Sequence, residues 1–143
     1  MNILSAFIIF DILIIIYEIL VTIFSSLYEI SGLTKDEARF QVTSLLTGTG
    51  FTTSESEKML STKKLKRITR DIMIVSYIFN ISIISTVVAL FTSTYQAKVV
   101  DLIIGLIISF SILILLCISK KIPKLRETVD SFFLNIVRKF YKN

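Results

Sequence analysis

Two groups of residues in this 143-residue chain carry oxygen chemistry. The first is the turn Thr47-Gly48-Thr49-Gly50-Phe51-Thr52-Thr53. Glycines let backbone carbonyls turn toward a common point, and the C-terminus of a helix is electronegative. Carbonyl and hydroxyl oxygens so placed can replace the hydration shell of a cation. Thr47, Gly48, Thr49 and Gly50 are therefore the candidate ion-binding residues of the loop. The second group is Asp11 and Glu18, two acids inside an apolar stretch and seven residues apart, so on one helical face. Acids in such a stretch read as contacts for a cation or proton, or as hydrogen-bonding partners of a neighbouring helix.

Other chemistry is excluded by composition. The chain has no histidine and one cysteine, Cys117. That removes the usual general base, the usual metal ligand, any Ser/His or Cys/His nucleophile pair and any internal disulfide. Asp11 and Glu18 lie about 10 Å apart along one helix, too far to share a proton. No catalytic residue, metal site or cofactor is expected. Gly48-Thr49-Gly50 lacks the third glycine, the preceding strand and the lysine of a phosphate loop. The net charge of +5 sits beside hydrophobic blocks, which points to orientation and anionic lipid and not to nucleic acid.

The elements that position these groups follow from hydropathy. Of the residues, 53% are hydrophobic, with a mean hydropathy of +0.76. They fall into blocks of about 20, the length that crosses a hydrocarbon core of about 30 Å as a helix. The fold class read from this is all-α: an integral membrane protein with three transmembrane helices, a cytoplasmic helical loop and a C-terminal amphipathic helix. Residues 1–143 are expected as a single membrane unit, with spans near 3–27, 72–91 and 100–118, a loop over 28–71 and a tail over 124–143. The first span is too long for a signal peptide and has no basic residue before Lys35. Each of its two acids costs roughly 2.5–3.5 kcal/mol at mid-membrane, against roughly 0.3–0.6 returned by each large aliphatic. The span holds seventeen Ile, Leu, Val and Phe residues, which offset that cost narrowly. The stripe Asp11, Glu18, Thr22, Ser25, Glu29 is therefore expected to face protein or water.

Thr34 with Glu37 is a capping box, with Leu33 and Ala38 at the positions of a hydrophobic staple. The helix it opens has an apolar face of Ala38, Val42, Leu45 and Leu46 and is expected to stop at Gly48. Ser54 with Glu57 is a second capping box. With no Pro or Gly between Phe51 and Tyr95, that helix is expected to run directly into the second span. Lys63, Lys64, Lys66, Arg67 and Arg70 just before the span read as a membrane-surface cluster for anionic headgroups. Ser76 and Asn80 share a face, and Asn80 is the expected partner of Glu18. In the third span, Gly105 and Ser109 form a small-residue ridge for close helix approach.

The tail places Leu125, Val129, Phe132, Phe133, Ile136, Val137 and Phe140 on one face, with Arg126, Glu127, Asp130, Asn135, Arg138, Lys139 and Lys142 on or near the other. That pattern suits a helix lying on the cytoplasmic leaflet, docked on residues 34–46, or bound to a partner. The first loop holds eight Lys and Arg, residues 119–143 seven, the short link one and the N-terminus none. The positive-inside rule gives a plasma-membrane protein with its N-terminus outside and its loop and tail cytoplasmic.

The run Ser44-Leu45-Leu46-Thr47-Gly48-Thr49-Gly50-Phe51-Thr52-Thr53 resembles the pore helix and filter of the Trk/Ktr/HKT potassium transporter superfamily. Residues 32–57 also resemble the membrane part of small bacterial proteins that carry a TrkA-C domain. The resemblance covers about 25 residues. It implies that Gly50 is the filter glycine and that Thr47, Gly48 and Thr49 offer oxygens. Those transporters have four pore loops per chain and this chain has one, so a pore implies a homo-oligomer or a membrane partner. Their loops enter from outside, whereas the charges place this one inside. No TrkA-C domain is expected within these residues, and the resemblance leaves room for a separate regulatory chain of that type as a partner. The expected function is association with monovalent cation transport, as a pore-forming or accessory subunit. The alternative is a structural or regulatory membrane protein that binds a partner through its loop and tail.

Overall fold

A computed structural model of the chain gives six α-helices and no strand among its described residues: α1 (Ile3–Ile30), α2 (Lys35–Thr47), α3 (Thr53–Met59), α4 (Lys63–Thr94), α5 (Val99–Lys121) and α6 (Pro123–Tyr141). The structure describes residues 2–49, 53–95 and 97–141, with the backbone alone at 53, 55–56, 120, 123–126 and 140–141. The all-α expectation holds. The helices α1, α4 and α5 are each long and apolar enough to cross a membrane. Their outward residues are large aliphatics such as Ile8, Ile12, Ile74, Ile78, Ile107 and Ile114, as lipid contact requires. Each helix closes its own backbone hydrogen bonds, which is what a chain this apolar needs away from water.

Packing divides the chain into two compact units. One comprises Met1–Tyr17 and Ile81–Thr128, the other Glu18–Asn80 and Val129–Asn143. In the first unit the ring of Phe7 lies directly over Gly105, in the space that a Cβ would take. The expected small-residue ridge on α5 is thus a seat for α1. Ser109, one turn further, donates to Asp11 Oδ2 at 3.0 Å, and both residues are buried.

In the second unit the largest fully buried side chains are Tyr28, Leu46, Met59, Ile72 and Val42, one or more from each of α1 to α4. The Tyr28 and Thr69 hydroxyls meet at 2.8 Å, so the buried phenol keeps a partner. Along α4, Leu65, Ile68, Thr69, Ile72, Ser76 and Phe79 are buried, the i, i+3, i+4 spacing of one inward stripe.

One element boundary differs from the sequence reading. The chain does not continue as one helix from Ser54 into the second span. It breaks between Met59 and Lys63. Ser61 Oγ donates to the Lys58 carbonyl at 2.7 Å, and Thr62 Oγ1 accepts from the Leu65 amide at 3.2 Å. Two short hydroxylated side chains close one helix and open the next, with no Gly or Pro needed.

Candidate functional site

The candidate loop is carried by α2, and the N-terminal end of α2 forms as its sequence dictates. Thr34 is the N-cap, with φ −69° and ψ 157°. Its Oγ1 accepts from the Glu37 amide at 3.4 Å, and its own amide donates to Glu37 Oε2 at 3.2 Å. The capping box is therefore complete. Lys58, near the end of α3, donates to Glu37 Oε1 at 3.0 Å. The Lys58 ammonium first, and then the Thr34 hydroxyl and amide, hold the Glu37 carboxyl below its ordinary value of 4.5. α2 and α3 thus form a helical hairpin, closed at its base by Glu37 and Lys58.

All four residues of the expected apolar face, Ala38, Val42, Leu45 and Leu46, are buried, and Gln41 and Ser44 are buried with them. The helix ends at Gly48, whose φ of 69° is left-handed. The amides of Gly48 and Thr49 both turn back to the Ser44 carbonyl, Thr49 at 3.1 Å. That is a glycine-terminated helix end of the usual αL kind.

The carbonyls left over by that ending are taken up by α4. Ser76 Oγ donates toward the Leu45 carbonyl at 2.9 Å and the Leu46 carbonyl at 3.2 Å. Asn80 Nδ2 donates to the Leu46 carbonyl at 3.3 Å. Here the structure corrects the expected pairing of Asn80 with Glu18, because the Asn80 amide is committed to α2. Unsatisfied carbonyls at a helix end are the stronger demand for a donor in apolar surroundings. Ser76 lies six residues beyond Arg70 and Asn80 ten, or about 9 and 15 Å along α4. The end of α2 is therefore fixed well inside the apolar part of α4.

The predicted site residues separate as follows. Thr47, Gly48 and Thr49 are exposed at the tip of the hairpin. The Thr47 hydroxyl donates to the Thr43 carbonyl at 2.8 Å and lies 3.2 Å from the Thr49 hydroxyl. Gly50 lies outside the described residues. Glu18 is half-buried, in the same unit as the loop, and its backbone carbonyl accepts from the Thr22 hydroxyl at 2.9 Å. Asp11 is 3% exposed in the other unit, and its second oxygen, Oδ1, is buried without a hydrogen-bond partner. The inward placement of the acidic stripe holds for Asp11 and Ser25, which are buried. In the basic cluster, Lys63, Lys66, Arg67 and Arg70 are exposed and Lys64 is half-buried. Arg70 is tied to Asp71 by two contacts at 3.0 and 3.1 Å.

Sequence reasoning missed one charged cluster. Arg39 Nη2 donates to Asp130 Oδ1 at 2.7 Å, and Lys35 Nζ lies 2.8 Å from Asp130 Oδ2. The lysine approaches off the line of a hydrogen bond, so Oδ2 has an ion-pair partner without a hydrogen bond. The signal was available. Lys35 and Arg39 are an i, i+4 basic pair on α2, and Asp130 is the acid nearest the apolar arc of the tail.

No family model, curated protein or solved structure matches the chain.

Proposed function

We propose that this protein is associated with monovalent cation transport, potassium first, as a pore-forming or accessory subunit. Residues 47–50 would be its cation-contacting loop. The observation that carries the reading is the anchoring of the Leu45 and Leu46 carbonyls by Ser76 and Asn80. A half-length helix whose C-terminal end is held about 9–15 Å past the basic boundary of a spanning helix is the arrangement of a re-entrant loop. Non-helical backbone is tolerated at that depth only where it lines water or protein. The electronegative helix end then faces whatever fills that space.

One loop per chain cannot surround an ion, so the pore-forming version requires a homo-oligomer or a membrane partner. The orientation proposed with it has the N-terminus outside and the hairpin base and tail in the cytoplasm of a plasma-membrane protein. The basic cluster from Lys63 to Arg70 would lie against anionic headgroups. A regulatory chain of TrkA-C type is a candidate cytoplasmic partner. A second reading, a structural or regulatory protein binding a partner through α2, is favoured by the exposed outer face of α2, where Phe40 is 56% exposed.

Potassium flux into liposomes holding the purified protein tests the proposal. Flux is expected and is abolished by Gly50→Asp, while Ser76→Ala, which frees the α2 end, lowers it. A folded protein without flux, together with cation-dependent growth of cells that ignores Gly50→Asp, overturns the transport reading in favour of partner binding.

A further inference from the structure

The tail helix α6 divides its circumference into three arcs. At 100° per residue, Asp130, Phe133, Leu134 and Val137 form one arc, and Asp130 and Val137 on it are buried. This arc is docked on α2 through Arg39 and Lys35. A second arc, within about 60° of the wheel, holds Val129, Phe132 and Ile136. These are 42%, 61% and 36% exposed. The third arc, which includes Ser131 and Arg138, is polar and exposed. The docked arc leaves Val129, Phe132 and Ile136 outside it.

We propose that the arc of Val129, Phe132 and Ile136 is seated in the leaflet of an anionic bilayer, so that α6 bridges the lipid surface and the first turn of α2. Three observations select lipid as the occupant. Asp130 is paired with Lys35, only five residues after the apolar helix α1 ends at Ile30, so α6 is held at the boundary of a spanning helix. Lys139 lies on the same stripe as Phe132, seven residues on, and is exposed. A basic residue at the edge of an exposed apolar stripe matches a surface of acyl chains under negative headgroups. The tail from 124 to 143 carries five basic and two acidic residues, a net +3, and Arg138 and Lys139 among them are exposed. The Asp130 clasp sets the rotation of α6 and so decides which arc is presented. The inference does not depend on cation transport.

The sequence contains no tryptophan, so Phe132→Trp makes a sole reporter in the full-length protein. It is reconstituted into phosphatidylcholine vesicles with and without phosphatidylglycerol, with acyl chains either normal or brominated. The expected result is blue-shifted emission that brominated chains quench strongly, more so with phosphatidylglycerol, while Ser131→Trp emits as in water. Ile136→Trp serves as the second reporter should Phe132→Trp fail to fold. Water-like emission from both, indifferent to bromine, overturns the proposal. Blue emission that ignores bromine and fades as protein is diluted with lipid identifies a second copy as the occupant, and equal quenching in neutral vesicles removes the anionic lipid; either result overturns the proposal.

Discussion

Single residues carry two kinds of information in this chain. Gly48 is legible from sequence because its role is local: the helix ends where a left-handed residue is needed, and φ is 69°. Gly105 is legible only as a small residue, since its partner, Phe7, is 98 positions away in the chain. The contact makes a definite prediction. Gly105→Ala puts a methyl where the Phe7 ring sits, and overpacking of that kind costs about 1–3 kcal/mol. Phe7→Leu in the same protein is expected to recover part of the loss. Thermal unfolding in detergent of the two single variants and the double variant measures the coupling. Strictly additive losses would mean that the two residues do not meet.

At the scale of elements, the hairpin of α2 and α3 joins what the sequence separates. Its capping box was readable because Thr34 and Glu37 are three residues apart. Its closure by Lys58 was not, because nothing in the spacing of Glu37 and Lys58 says that the chain turns back. That closure titrates. The folded Glu37 carboxyl is held below its ordinary 4.5, so its contribution is fully present above that value. It is lost as the pH falls through the lowered value, because the unfolded chain then binds the proton more readily. Acidification from neutral pH to about pH 3 is therefore expected to loosen the hairpin. Lys58→Ala should flatten part of that dependence, as followed by hydrogen exchange at the α3 amides. An unchanged acid profile in Lys58→Ala would remove the lysine from the account. The break between α3 and α4 teaches the same point in reverse. Absence of Gly and Pro favours a continuous helix, but Ser61 and Thr62 offered the backbone a better local bond.

At the scale of the whole molecule, the proposed orientation has a direct check. With Cys117→Ser as background, Asn2→Cys and Ser93→Cys are expected to react with a membrane-impermeant maleimide on intact cells. Ser61→Cys and Asn135→Cys should react only after permeabilisation. The reverse pattern would invert the protein and bring the 47–50 loop in from outside. What the sequence determined by itself is the all-α class, the apolar lengths of the three long helices, the caps of α2 and the inward side of its apolar face. Each of these follows from neighbours within a turn or two or from the simple sum of hydropathy. What only the tertiary structure decided is where the polar side chains of the long helices and the tail are spent. Ser109 goes to Asp11, Ser76 and Asn80 go to the carbonyls of α2, and Asp130 goes to Lys35 and Arg39. In apolar surroundings any polar group must find some partner. Spacing along the chain says that such a partner exists, and the packing of distant helices selects which one it is.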